Sequence, residues 1–200
     1  MKMCVSIKLF LLLFIATPCT TFSTKTHVYF LPKDKEAVAE LLPAFMDKAQ
    51  EEILVASYFL TDNSFLDKLI ELKNRGVAVH VITDITSHRI RRVLDKLIAA
   101  DIVPVASAQL LMHNKFLERD GSDVWTGSAN MTPTALSEAQ NYENVVTIAS
   151  PKIAQKYKTT FFEMESEILQ SYIEWLQGNW TAPKLPIAGQ ILPMLLPILY

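Results

Sequence analysis

The chain has 200 residues, with 19 basic and 21 acidic side chains, two cysteines and half of its residues hydrophobic. That length suits one domain and can bury a core without cross-links. The slightly acidic balance excludes the global positive charge on which nonspecific nucleic-acid binding rests, so any hold on a polyanion must come from a local patch.

Residues 1–23 read as a secretory signal: Lys2 and Lys8, the apolar run 9–16, then small and polar residues through Ser23. The run is short for a bilayer span; the alternative to cleavage is a membrane-anchored product. Pro18 before Cys19 argues against lipidation there. Cys4 and Cys19 both lie in the leader, so the mature chain uses neither disulfides nor thiolate metal ligands. Loss of Lys2 and Lys8 leaves 17 basic against 21 acidic residues, a net charge of −4. The expected product is secreted or periplasmic.

The domain is expected over residues 24–178. Residues 26–30 read as a strand. Residues 33–50 carry Ala37, Leu41, Leu42 and Phe45 at near-helical spacing, with a kink or break implied at Pro43. Residues 52–59 form an apolar strand of the kind covered on both faces. A helix over 64–74 is capped by Asp62 or Asn63 and stopped by Gly76. A strand over 77–84, a helix over 87–99 and a short strand over 103–106 follow. Beyond two short motif strands come a helix near 133–139 and a strand over 144–149. Ser150-Pro151 then opens a helix running to about Leu176. This alternation predicts an α/β fold: a mixed, mostly parallel sheet with helices on both faces. Residues 179–200 form an apolar, Pro-rich tail. Pro186, Pro193 and Pro197 oppose a regular helix there. It reads as a strap over the domain or a partner, as a membrane-surface contact, or as a cleaved lipid-anchor signal.

The chemistry is concentrated between His113 and Asn130. The stretch reads His113-Asn114-Lys115, Asp120 and Gly127-Ser128-Ala129-Asn130. On a strand, side chains two apart share a face, so His113 pairs with Lys115 and Ser128 with Asn130. A hairpin turning at Asp120-Gly121 brings all four together. One nucleophile or base, one fixed positive charge and two neutral hydrogen-bonding groups suit a phosphate diester.

The pattern H-x-K-x4-D-x6-G-S-x-N resembles the signature of the phospholipase D superfamily, most of all its small single-motif bacterial members, which include endonucleases. Glu143 falls where that family places a carboxylate, and the likeness extends over roughly residues 26–177. The resemblance implies that His113 attacks phosphorus to form a phosphohistidine. Lys115 and Asn130 then hold the phosphoryl oxygens, Ser128 helps place the histidine, and Glu143 fixes its tautomer. A second histidine must protonate the leaving group, and His27, His80 and His88 lack the H-x-K setting. Single-motif relatives pair two chains, so an obligate homodimer is expected, with no cofactor and no metal.

Each residue also has a plainer reading. Asp120 before Gly121 is a turn residue or an orienting contact. Ser128 reads otherwise as a strand-end hydroxyl, Glu143 as a surface carboxylate, His80 as a packed histidine and Asp84 as a loop or cap residue. Arg89 and Arg92, with Arg91 between them, form the densest positive patch. They suit a nucleic-acid backbone, an anionic lipid head group, or a solvated helix face paired with Asp84 or Asp95. The motif leaves three functions open: a nuclease, a phospholipase D, or a catalytically inactive phosphate-binding module.

Overall fold

The computed structural model describes residues 24–87 and 89–178. The leader, His88 and the apolar tail lie outside the described residues. No helix among the described residues is long and apolar enough to cross a membrane.

Seven strands form one sheet: β1 Lys25–Leu31, β2 Glu52–Ser57, β3 Ala78–Asp84, β4 Pro104–Ser107, β5 Lys115–Arg119, β6 Asp123–Gly127 and β7 Glu143–Ala149. Their order is β1-β7-β6-β5-β2-β3-β4. β2, β3 and β4 run parallel, joined by helices α2 Asn63–Asn74 and α3 Ile90–Ile98. The other pairings, β1–β7, β7–β6, β6–β5 and β5–β2, are antiparallel. The sheet is therefore mixed and mostly antiparallel, which corrects the expectation of a mostly parallel one. The reason is in the connections. Parallel neighbours need a long crossover, whereas β5, β6 and β7 are joined by a tight hairpin and a loop.

Helices α1 Lys35–Asp47 and α2 cover one face, and α4 Pro151–Leu176 crosses the other. β2 explains why its run has no polar alternation. Ile53 and Val55 enter the core under α1 and α2, while Leu54 and Ala56 enter the core under α4 with Phe116 and Phe161. α3 links the layers: Val93 and Leu97 join the first core, and Ile90 and Leu94 pack with Tyr172 of α4. Trp125 meets Phe45 edge to face, with ring centroids 6.0 Å apart.

Local signals fall where the sequence put them. Asp62 accepts the Phe65 N–H at 3.1 Å as the cap of α2. The Ser150 carbonyl accepts from Ile153 and Ala154 at the start of α4. α1 runs through Pro43, so of the kink or break expected there the break is absent. One local expectation fails. Residues 133–137 form turns rather than a helix, because Glu138 and Gln140 reach back to Pro133 and Thr134 and close wider loops.

Beneath α4, Glu118 is wholly buried, and neither carboxylate oxygen meets a partner at hydrogen-bonding geometry. Burial pushes its carboxyl up to about 7; the Gly121 N–H pulls it back, the Glu52 charge adds to the rise, and Lys158 opposes it. Lys158 itself is ion-paired with Glu52. Unfolding returns Glu118 to an ordinary carboxyl near 4.5. Between those values the folded state holds the extra proton, so this group's contribution to stability is lost as pH rises through that window. Glu118→Gln should therefore raise the melting temperature near pH ~8 and flatten its decline from about pH 5 to 8. Thermal melts across that range check it, and an unchanged slope would remove Glu118 as the cause.

Candidate active site

The site gathers at one edge of the sheet, where β2, β3 and β6 end and β5 and β7 begin. Lys115 starts β5 and Gly127 ends β6. His113, Ser128 and Asn130 thus lie just beyond the strand ends, not on the paired strands expected from the motif. Two features end the ladders. The β2–β5 register stops at Ser57↔Lys115, after which the Tyr58 N–H binds the Asn114 carbonyl at 3.2 Å. Gly127, at φ +149°, turns the chain out of β6.

His113 is exposed. Its imidazole packs on Tyr58, with ring centroids 5.1 Å apart. Lys115 is half-buried beside it, donating from Nζ to the His113 carbonyl at 2.7 Å and standing 5.7 Å from the Tyr58 ring centre. Burial holds the Lys115 ammonium below the ordinary lysine range, and the Glu143 charge partly restores it. A bound phosphate would favour the charged form further.

Glu143 begins β7. Its carboxylate accepts from Ser128 Oγ at 2.5 Å and from Asn141 Nδ2 at 3.3 Å. Ser128 Oγ in turn accepts the Asn144 N–H at 2.9 Å. Both oxygens of Glu143 thus have partners other than His113, and lone pairs remain for an imidazole N–H. Gly127 makes this junction tight: a Cβ there would stand 2.1 Å from the Asn144 carbonyl oxygen.

Asn130 is fixed by its carbonyl. Oδ1 accepts the Phe59 N–H at 3.2 Å, and the Met131 N–H binds the Phe59 carbonyl at 3.1 Å. Ser57 Oγ donates to that same carbonyl at 2.7 Å. With Oδ1 committed, the Asn130 amide has only N–H groups left to offer a ligand.

Asp120 is not brought to the site. It lies at the opposite end of β5 from Lys115, roughly 17 Å along the strand at 3.4 Å per residue. There its carboxylate accepts the N–H groups of Gln50, Glu51 and Glu52 at 2.9–3.0 Å. Arg89 and Arg92 are both exposed but do not share a helix face, because Arg89 precedes α3 at a left-handed φ of 58°. Arg92 donates to Asn63 at 3.2 Å, and Arg91 pairs with Asp95 at 3.9 Å. His80 packs against Phe162 of α4 at 5.5 Å between centroids, and His27 sits within β1, opposite Thr147. Neither reaches His113. The sequence reading passed over Ser57 and Tyr58, although both end a buried strand at a sheet edge, where open α/β folds place ligands.

Residues 42–165 match the family model described as "Cardiolipin synthase, PLD-like domain", more than half of the chain. The chain belongs to the phospholipase D superfamily. It is 28% identical over 123 residues to "Phospholipase D" of Rickettsia prowazekii, covering 60% of this chain and 59% of that protein. It is 29% identical over 119 residues to "Mitochondrial cardiolipin hydrolase" of Chlamydomonas reinhardtii, covering 58% and 52%. The match thus spans little more than half the length of these relatives. Among solved phospholipase D folds, it is similar to Nuc of Salmonella typhimurium, a phospholipase D family member, with a TM-score of 0.63 and 25% identity. That alignment covers 70% of this chain and 93% of Nuc. NucT of Helicobacter pylori shares the fold at TM-score 0.64 and 22% identity.

Two outcomes follow from this geometry. Gly127→Ala should part β6 from β7, displace Ser128 and Glu143, and destabilise the fold by about 1–3 kcal/mol; chemical denaturation measures it, and a neutral variant would show that β7 can yield. Lys115 should lose its charge at a lower pH than an ordinary lysine, so KM for a phosphodiester should rise early on the alkaline side. Lys115→Arg should move that limb upward, and identical limbs in the two proteins would count against the burial effect.

Proposed function

We propose that this chain is a phosphodiesterase that acts on phospholipid through a phosphohistidine formed on His113, working as a homodimer. The observation that carries the reading is the set His113, Lys115, Ser128, Asn130 and Glu143 on one sheet edge, in a chain of the phospholipase D superfamily.

In this reading, neutral His113 attacks phosphorus and the bond to the leaving oxygen breaks. That oxygen takes a proton from His113 of the second protomer. Water then attacks the phosphohistidine, and the same second imidazole receives its proton. Dividing the displacement in two lowers each barrier. Lys115 and the Asn130 N–H groups balance the charge building on the phosphoryl oxygens. Glu143 accepts the N–H of the attacking imidazole and so keeps its other nitrogen free. Two protomers are invoked because His113 is exposed and, among the described residues, neither His27 nor His80 reaches it.

Lipid is favoured by the rim. Leu110 (76% exposed) and Leu111 (62%) lie just before His113, and Tyr142 (95%) just before Glu143. Apolar and aromatic tips around a catalytic edge suit a membrane surface. Export through residues 1–23 and further membrane contact by residues 185–200 belong to the same reading. The second reading is a nuclease, favoured by the exposed Arg89 and by the coverage of Nuc.

The test is purified protein with chelator present, offered cardiolipin or phosphatidylcholine vesicles, single-stranded DNA and RNA. Release of lipid head groups is expected, and activity on DNA or RNA alone would replace the lipid reading by the nuclease one. Quenching with denaturant at alkaline pH, where the acid-labile P–N bond survives, should trap label from the substrate on His113, and His113→Ala should lower turnover by about 10⁴-fold or more. Near-wild-type turnover, or a fully active monomer on sedimentation, would overturn the mechanism.

A further inference from the structure

Asp84 ends β3 with a side chain only 2% exposed, and among the described residues it has no ion pair. Its carboxylate is divided between two tasks. Oδ1 accepts the Thr86 N–H at 2.8 Å and the Thr86 hydroxyl, the local turn that an aspartate makes readily. Oδ2 reaches 28 residues along the chain to the Met112 N–H, at 2.9 Å. The local turn has no use for that second bond. Met112 immediately precedes His113.

The first task also leads to the site. Thr86 Oγ1 lies 3.5 Å from the Tyr58 hydroxyl, and the Tyr58 ring stands against both His113 and Lys115. The loop that carries His113 has its root tied as well: the Ile85 N–H binds the Ser107 carbonyl at 2.9 Å, and Ser107 Oγ donates to the Leu110 carbonyl. The backbone of Lys115 and the amide of Asn130 are held independently, by the end of β2.

We propose that Asp84 is a positioning residue for the nucleophile. It grips the His113 loop through the Met112 N–H and braces the Tyr58 wall through Thr86, so that the imidazole meets phosphorus at one distance and angle. This rests on the reading of His113 as the nucleophile. A buried carboxylate supplies both arms at once, because it offers acceptor sites on two oxygens. In Asp84→Asn one oxygen becomes an N–H donor, and one arm must be lost.

The test uses the full chain and a chromogenic phosphodiester. Asp84→Asn should lower kcat by about 10–100-fold, the scale of a misplacement near 1 Å. KM should change by less than about threefold, because the Lys115 backbone and the Asn130 amide keep their own supports on β2. The ring proton resonances of His113 should broaden or shift in Asp84→Asn; this readout does not depend on turnover. Wild-type kcat, or a loss expressed only in KM or in melting temperature, would overturn the proposal. Should Asp84→Asn fail to fold, Thr86→Val severs the Tyr58 arm alone. It should lower kcat by about threefold and move the same resonances, and unchanged values of both would also overturn the proposal. A wild-type protein that cleaves no phosphodiester, yet shows His113 resonances that respond to Asp84→Asn, would fail the functional reading while keeping the positioning one.

Discussion

The site depends on where β2 stops. Its last ladder pair is Ser57 with Lys115, and the next two residues bind the motif segments instead of a neighbouring strand. The Tyr58 N–H takes the carbonyl between His113 and Lys115. The Phe59 N–H takes the side chain of Asn130, and the Phe59 carbonyl takes the Met131 N–H and the Ser57 hydroxyl. Two segments with a hairpin between them are thereby joined at a third. Backbone groups at a strand end must find partners, and here their partners are the halves of the motif.

What could be read from the sequence follows the range of the interaction. Residues 52–107 were legible because each element carries its own signal: apolar strands buried on both faces, an Asp62 cap, a glycine stop. The chemical residue types of the motif were legible because they are contiguous. Sheet direction was not, because whether β5 to β7 return by hairpins or by crossovers is a matter of connection geometry. The turn at 133–137 was read as a helix because its backbone bonds reach one or two residues further than a helix would place them. Asp120 was placed correctly in a turn by Gly121, but its three N–H partners at 50–52 lie about 70 residues away and leave no local trace. Asp84 and Tyr58 were passed over or read as local for the same reason: their partners in the site lie in distant segments.

The mixed sheet divides the labour. The parallel half, with its helical crossovers, supplies buried strand ends and the carboxylate of Asp84. The antiparallel half supplies the hairpin, Ser128 and Glu143. The two meet at β2 and β5, so the candidate site sits on the seam, and neither half alone contains the full set. The fold leaves His113 exposed, just beyond that seam.

Asn130 has a polarity that its anchor dictates. Because its oxygen is spoken for by Phe59, only the N–H groups of the amide remain to meet another molecule. Hydrolysis of this one amide to a carboxylate would preserve the shape, the volume and the anchoring bond, yet set a negative oxygen where a donor had been. Chemical ageing at a single group would thus reverse the polarity of this strand end without unfolding anything around it.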